Sequence, residues 1–375
     1  MRLDDFLLER YFAEYEFSTP FLLCTSDCET FRLDEIVSLA DKETLGLWNT
    51  LRLGYTEPLG HSLLRSEIAK LYGRNISPDD IVVFAGAEEA IFIFMNVLLE
   101  RGDHVIIQFP AYQSLYEIPK AIGCRVTKWM MNQEANWELD IDTLRKGVNS
   151  KTKAVVVNFP HNPTGFLPSK RVFSAISKIC EENNLYLFSD EVYRLLEFKI
   201  EDRLPSAFEL YDQGVSLGVM SKAFGLAGLR IGWIASPDKL LISKLAAFKH
   251  YTSICNSATS EILALIALRS KVKILERNLG IIKTNLEMLD KCFTDYRDFL
   301  SWNRPKAGPV AFPRLNGKCG KVEKFCESLR LNKGVLLLPS SLYEYDGNNF
   351  RIGFGRKNMQ TALEKLVEYF KESYV

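Results

Sequence analysis

Short apolar runs alternate with stretches of helical periodicity from about residue 80 onward. The runs have the length of buried strands, and the stretches between them repeat their apolar positions as helices do. The predicted strands are residues 81–84, 104–107, 154–157, 185–188, 215–220 and 231–235, and the predicted helices are residues 88–99, 112–122 and 172–180. This alternation predicts an α/β fold, in which helices cover both faces of a mostly parallel sheet.

The pattern changes after Pro237 to long amphipathic helices, predicted over residues 238–251 and 260–293 with no strand between them. Short strand candidates follow at 310–313, 334–338 and 350–353, and a final helix is predicted over 358–374. A small α+β domain fits this segment, and we expect the first 45 or so residues to pack against it. The predicted division is a large domain at 46–280 and a small domain formed by 1–45 and 281–375.

Composition and charge exclude several classes of protein. The chain has 375 residues, more than one core usually holds, and its 47 Lys and Arg residues balance 47 Asp and Glu residues. Zero formal charge gives no reason to expect nucleic acid or an anionic membrane as a partner. The apolar run at 90–99 is too short for a bilayer, which needs about 20 residues. An acidic N-terminus without a basic leader predicts a cytoplasmic protein.

Cysteine and histidine spacing gives no sign of a metal site. The eight cysteines include no CxxC pair, and the four histidines lack the spacing of zinc sites. Buried or surface thiols are therefore the expected state of the cysteines.

Two ionisable residues follow predicted strands, where ligands of α/β proteins bind. Lys222 comes after the strand at 215–220, and a buried position there would lower the pKa of its amine and make it a nucleophile. Asp190 follows the strand at 185–188, and an acid at that depth needs a partner. A pyridinium nitrogen would suit Asp190, although a helix cap or a structural ion pair would also explain it.

Further polar residues are suited to anions and to ring oxygens. Ser221 and Arg230 stand in a glycine-rich stretch that leaves room for a phosphate, and Gly86 precedes a predicted helix whose first amides would face an anion. Tyr193 and Asn162 can donate hydrogen bonds to a phenolate oxygen, although the Asn-Pro-Thr-Gly run at 162–165 could equally be a turn.

Two more residues complete the set of candidates. Arg351 lies within a short apolar strand and has the fork geometry that binds a carboxylate. Tyr112 could stack on a ring, although an aromatic residue here is more often core. A reactive lysine, an acid for a pyridinium nitrogen and an arginine for a phosphate are what pyridoxal 5′-phosphate requires of a protein, and together these residues predict such a site.

From about Tyr55 to Arg351 the chain resembles the fold type I pyridoxal-phosphate enzymes of the class I/II aminotransferase family. The resemblance implies transfer of the α-amino group of an amino acid to a 2-oxo acid through a Schiff base on Lys222. It implies these roles: Lys222 as Schiff-base lysine and general base, Asp190 for the ring nitrogen, Asn162 and Tyr193 for the ring oxygen, Ala87, Glu88, Ser221 and Arg230 for the phosphate, Tyr112 for stacking, and Arg351 with Asn162 for the substrate.

The resemblance also implies a homodimer. Tyr55 resembles the tyrosine that reaches the phosphate bound by the other subunit, so we expect two chains to share their active sites.

Two departures from the family pattern concern the site. Val219 stands where a serine often contributes a phosphate hydroxyl, and residues 23–29 differ from the usual glycine-containing loop over the substrate. Asp27 or Glu29 in that loop could favour a cationic amino acid, or could be solvated loop acids.

Other reactions use the same cofactor residues. A β-eliminating lyase, or a specialised amino-acid cyclase, oxidase or deaminase, would carry the same set. A non-catalytic regulatory module that binds the cofactor is disfavoured, because the chain has no DNA-binding domain and no basic face.

Overall fold

A seven-stranded sheet lies at the centre of the computed structural model, which describes residues 2–73 and 76–374. The central sheet contains β2 to β8, and the other strands form smaller sheets. In chain order the strands of the described residues are β1 Phe21–Leu22, β2 Ile81–Phe84, β3 His104–Phe109, β4 Arg125–Met130, β5 Thr152–Asn158, β6 Tyr186–Asp190, β7 Gly214–Val219, β8 Gly232–Ala235, β9 Leu300–Ser301, β10 Val310–Ala311, β11 Arg314–Leu315, β12 Val335–Leu336, β13 Leu338–Pro339 and β14 Phe350–Gly353. The strand order in the central sheet is β2-β8-β7-β6-β5-β3-β4. In this sheet β8 pairs antiparallel with β2 and β7 and the other four strand pairs are parallel, so the predicted mostly parallel sheet is confirmed.

Helices pack around this sheet and continue into the C-terminal part. They are α1 Leu7–Tyr15, α2 Leu33–Val37, α3 Lys42–Asn49, α4 Ser62–Ala69, α5 Ala87–Leu98, α6 Ser114–Ile122, α7 Ile141–Gly147, α8 Lys170–Glu182, α9 Ala207–Leu210, α10 Lys239–Lys249, α11 Ala258–Arg269, α12 Lys271–Asp295, α13 Val322–Lys333 and α14 Met359–Ser373. Every residue of β2, β3 and β7 is buried, as expected for strands covered on both faces.

The C-terminal part contains its own antiparallel sheet, in the order β10-β14-β13; α13 contacts β13, and α14 packs against α13, β1 and β12. The N-terminal segment joins this part, because β1 pairs in parallel with β12 through Phe21 and Val335. The predicted domain division at residue 280 falls inside α12, a continuous helix of 25 residues, and it stays a prediction.

The helix predicted over 260–293 is two helices, α11 and α12, which meet at Ser270. The Ser270 hydroxyl donates to the Leu39 carbonyl at 3.1 Å, and its backbone has left α-helical geometry. No helix within residues 2–73 and 76–374 combines the length and apolar character needed to cross a membrane. All eight cysteines are free.

Candidate active site

A cavity of about 560 Å³ lies at the carboxyl ends of β5, β6 and β7. The N-terminal helix α1 and residues 25–27 form its opposite side. The lining residues are Phe6, Leu8, Glu9, Phe12, Glu16, Thr25, Ser26, Asp27, Ala87, Glu88, Ile91, Tyr112, Asn158, Asn162, Asp190, Val192, Tyr193, Val219, Ser221, Lys222, Ala227, Arg230 and Arg351. Ten of the eleven residues predicted from the sequence are therefore brought together, and Tyr55 is the exception.

Lys222 follows β7 and extends its amine into this cavity. Its Nζ donates to Ser26 Oγ at 2.8 Å and lies 5.9 Å from the centre of the Tyr193 ring. Burial lowers the pKa of Lys222; Asp27 opposes this effect, and the positive charge of Arg351 adds to it. A buried lysine with a lowered pKa has the properties of a nucleophile. Ser26 was not predicted, because nothing in a loop serine indicates which residue it will contact.

Asp190 ends β6 and is 5% exposed. Its Oδ1 accepts a hydrogen bond from the Val192 amide at 3.1 Å, and it forms no ion pair with any residue in the described ranges. Burial raises the pKa of Asp190 to about 7, and the nearby Lys222 limits the rise. A buried carboxyl that lacks a cation is suited to a ligand that supplies one, such as a protonated ring nitrogen.

Tyr193 and Arg351 each present a buried polar atom without a partner. Both residues are 1% exposed, and neither Tyr193 Oη nor Arg351 Nη2 makes a hydrogen bond to the described part of the chain. Burial raises the pKa of Tyr193, so its hydroxyl stays protonated and can donate. Buried polar atoms are nearly always hydrogen-bonded, so two such atoms in one cavity indicate a polar ligand.

Three neighbours fix the Arg351 guanidinium. Nε donates to the Cys24 carbonyl at 3.0 Å, and Nη1 donates to Tyr343 Oη at 2.6 Å and to Asn162 Oδ1 at 3.2 Å. Tyr343 Oη also donates to Asn162 Oδ1 at 3.1 Å. With its oxygen occupied, Asn162 has its amide nitrogen available for a ligand. Tyr343 was missed by sequence reasoning, because its contact with Arg351 arises only when β14 meets the loop before it.

The N-terminus of α5 forms an anion-binding end of the cavity. Gly86 caps the helix with a φ of 93° and no side-chain hydrogen bond, which leaves the first amides, including those of Ala87 and Glu88, open to a ligand. A Cβ atom at Gly86 would lie 2.7 Å from Arg230 Nη2. Arg230 itself forms no ion pair within the described residues, and its Nη1 donates only to the Ala227 carbonyl at 3.3 Å.

Glu88 and Tyr112 face the same end. Burial raises the pKa of Glu88 to about 7, and Ser114 Oγ donates to its carboxylate at 3.2 Å. Tyr112 lines the cavity, and its hydroxyl donates to Glu9 on α1 at 2.7 Å. Ser221 is buried beside Lys222. Val219 also lines the cavity, so an apolar side chain stands in this site where the family pattern often has a serine hydroxyl.

The two loop acids have different positions. Asp27 lines the cavity and pairs with Arg356 Nη2 at 2.7 Å. Glu29 is not among the lining residues, and its carboxylate accepts from the Lys357 amide at 2.8 Å. Tyr55 is 90% exposed and lies outside the cavity. A role across a subunit interface therefore stays a prediction.

These groups match the parts of pyridoxal 5′-phosphate. The α5 amides with Arg230 suit its phosphate, Asp190 suits its ring nitrogen, Tyr193 and Asn162 suit its ring oxygen, and Lys222 suits its aldehyde. Arg351 Nη2 then remains for a substrate carboxylate.

Comparisons with known proteins agree with this geometry. A family model described as aminotransferase class I and II matches residues 19–368. A probable aspartate aminotransferase of Methanocaldococcus jannaschii is 27% identical over 371 residues, which cover 94% of this chain and 95% of that protein. Capreomycidine synthase of Streptomyces vinaceus is 28% identical over 374 residues, covering 98% and 92%. The crystal structure of a PLP-dependent aminotransferase from Streptococcus suis superposes with a TM-score of 0.93 at 30% identity, covering 99% of both chains.

Proposed function

The chain belongs to the aminotransferase class I and II family, and we propose that it transfers the α-amino group of an amino acid to a 2-oxo acid with the residues described above. The cofactor of this reaction is pyridoxal 5′-phosphate. The observation that carries the proposal is the convergence of Lys222, Asp190 and the unpaired Nη2 of Arg351 on one cavity.

Lys222 has the central chemical role. When bound, the cofactor supplies an electrophilic aldehyde and a ring that accepts electrons from the substrate's Cα–H bond. The lowered pKa of Lys222 keeps more of its amine neutral, which is the form that attacks an aldehyde and accepts a proton. In the proposed mechanism Nζ would be the atom that holds the cofactor at its aldehyde, and as a free amine it would be the base that accepts the α-proton of the substrate.

Asp190 and Tyr193 control charge at the ring. The Asp190 carboxylate would hold the ring nitrogen in its protonated form, because an ion pair at a buried position favours both charged partners. The hydroxyl of Tyr193 and the amide of Asn162 would donate to the ring oxygen, which explains why the hydroxyl has no partner within the described chain. These contacts orient the ring, while the amides of α5 hold its phosphate.

Arg351 would orient the substrate. Its Nε and Nη1 are held by Cys24, Asn162 and Tyr343, so Nη2 is the position left for the α-carboxylate. A guanidinium fixed before the substrate arrives loses little side-chain entropy on binding. The α-carbon would then be held near the Lys222 amine.

We also propose a homodimer with shared active sites. Leu53, Tyr55 and Tyr251 are 87%, 90% and 90% exposed, so these large side chains are available to a partner subunit. Tyr55 would reach the phosphate of the partner subunit. Eight free cysteines favour a reducing compartment, and we propose the cytoplasm. Sedimentation equilibrium tests the dimer directly.

The reaction is tested by absorbance. We expect an amino acid to convert the bound aldehyde to its amine form, and a 2-oxo acid to reverse the change. Lys222→Ala should bind the cofactor without a covalent bond, so borohydride should attach cofactor to the wild type at residue 222 and not to the variant. Turnover in Lys222→Ala near the wild-type rate would reject the assigned role.

One relative supports an alternative. The similarity to capreomycidine synthase keeps a specialised cyclase or another lyase on the same scaffold as a second candidate. Product analysis without an added 2-oxo acid separates the two. A transferase yields one 2-oxo acid for each cofactor converted to its amine form, whereas a cyclase yields a ring-containing amino acid and leaves the cofactor in its aldehyde form.

A further inference from the structure

Two acids of α1 and its C-terminal cap lie on the substrate side of the cavity. Glu9 and Glu16 are seven residues apart, nearly two helical turns, so they share the face that lines the cavity. Phe12 lies between them on that face, and Asp27 adds a third acid from the neighbouring loop. The two glutamates precede residue 19, where the family match begins, so the match does not account for them.

The three acids differ in how they are compensated. Asp27 pairs with Arg356 at 2.7 Å, and Glu9 accepts from Tyr112 at 2.7 Å. Glu16 is half-buried; its backbone amide donates to the Phe12 carbonyl at 2.8 Å, and its carboxylate makes no hydrogen bond or ion pair with residues 2–73 or 76–374. Burial raises the pKa of Glu16, the charges of Asp27 and Glu9 raise it further, and the charges of Arg356 and Lys222 oppose the rise. Among these three acids, Glu16 is therefore the one whose carboxylate has no direct partner in the described part of the chain, and a cationic ligand group would supply one.

A separate observation indicates that a ligand reaches this region. Arg351 Nη2 is buried in this cavity and lacks a partner in the described structure, so it marks where the α-carboxylate of an amino acid would be anchored. The Arg351 guanidinium lies 5.7 Å from the centre of the Phe12 ring. Glu16 is four residues, or just over one helical turn, beyond Phe12, a rise of about 6 Å. A side chain of the length of ornithine, lysine or arginine can span that turn.

On the basis of the proposed function, we propose that the amino donor has a cationic side chain, an amine or guanidinium group that Glu16 binds. Phe12 packs against its methylene groups, and Glu9 and Asp27 add to the negative potential around its charge. A dicarboxylic amino acid would place its second carboxylate among three acids, which disfavours it as a donor. The Arg351 contact fixes one end of the substrate, and Glu16 selects the other.

Binding of non-reacting analogues tests the proposal on the cofactor-loaded enzyme. α-Methylornithine and α-methylnorvaline differ in the terminal amine and cannot lose an α-proton, so absorbance titration gives their dissociation constants without turnover. We expect wild type to bind α-methylornithine at least about tenfold more tightly, since a hydrogen bond to a charged group contributes that much. Glu16→Gln should remove most of this ratio. Glu14→Gln, the same change at an exposed position of the same helix, should retain it.

Kinetics with reacting amino acids complete the experiment. L-Ornithine and L-arginine should exceed L-norvaline and L-aspartate in kcat/KM, and Glu16→Gln should lower only the values for the cationic pair. An unchanged ornithine-to-norvaline ratio in Glu16→Gln, or a wild-type preference for L-aspartate, would overturn the proposal. If no amino acid forms the amine state of the cofactor, the aminotransferase function fails, while the analogue titration still reports the side-chain preference.

Discussion

Replacing Asp190 by Asn should change stability in opposite directions with and without the cofactor. In the cofactor-free protein Asp190 is 5% exposed and has no cation in contact within the described residues, so ionising it costs free energy. Asparagine is neutral and keeps an oxygen that can accept the hydrogen bond from the Val192 amide, 3.1 Å from Oδ1. With cofactor bound, the same replacement removes the partner of the ring nitrogen.

The size of the effect follows from the pKa of Asp190, which burial raises from 3.8 to about 7. A rise of about three units corresponds to about 4 kcal/mol. The folded chain binds the proton more tightly than the unfolded chain, so the contribution of Asp190 to stability is lost as pH rises from about 4 to about 7. Integrated from pH 5 to pH 8, the loss is about 2.5 kcal/mol in the wild type and absent in the variant.

Urea unfolding of the cofactor-free proteins at several pH values measures this difference. The free energy of unfolding of Asp190→Asn minus that of wild type should grow by about 2.5 kcal/mol between pH 5 and pH 8, because other groups titrate alike in both proteins and cancel. Asp212→Asn, at an exposed position, is the matched control. Added cofactor should stabilise wild type more than Asp190→Asn. A difference that stays constant with pH would refute the description of Asp190 as a buried acid awaiting a cation.

The remaining predictions concern other parts of the site. Arg351→Ala should raise KM for α-amino acids about a hundredfold in steady-state kinetics, because it removes the buried charge that binds the carboxylate. Tyr343→Phe should raise KM about tenfold, because it removes a hydrogen bond that orients the Arg351 guanidinium. Gly86→Ala should raise the cofactor Kd about tenfold, measured by fluorescence titration, because the new Cβ would lie 2.7 Å from an arginine nitrogen and the backbone φ is 93°. Gly280→Ala is the control: a Cβ there meets open space, so the cofactor Kd should not change. Tyr55→Phe should weaken cofactor binding while sedimentation still gives a dimer, and unchanged binding would remove this tyrosine from the site.

The central strands were predictable because they are buried on both faces and their sequences are continuous apolar runs. The strand β4 was missed because it lies at the sheet edge, where only Trp129 of its six residues is buried and the sequence is not a continuous apolar run. The break at Ser270 was missed because a single serine is compatible with a helix. Its hydroxyl bonds to the carbonyl of Leu39, a residue far away in sequence that the local pattern around Ser270 does not indicate. The local sequence pattern thus predicted the strands that are buried on both faces, and it did not predict features that depend on contacts with distant segments.

The same distinction applies to the candidate site. Lys222 and Asp190 each follow a buried strand, and parallel strands bring such positions to one edge of the sheet, so their proximity could be predicted. Ser26 and Tyr343 lie in segments whose position depends on how the N- and C-terminal parts meet. Their hydrogen bonds to Lys222 and Arg351 could be found only in the folded chain.

The residues that determine the chemistry of the site and those that determine its selectivity come from different parts of the fold. The cofactor contacts come from strand ends and helix termini, where a small displacement would disturb the whole sheet. Glu9 and Glu16 belong to α1 and its C-terminal end, which lie outside the central sheet. Substitutions there can change the charge that meets the substrate side chain without moving Lys222 or Asp190. A chain can therefore keep the family's cofactor residues and still accept a different amino acid, and in this chain the acids on that face favour a cation.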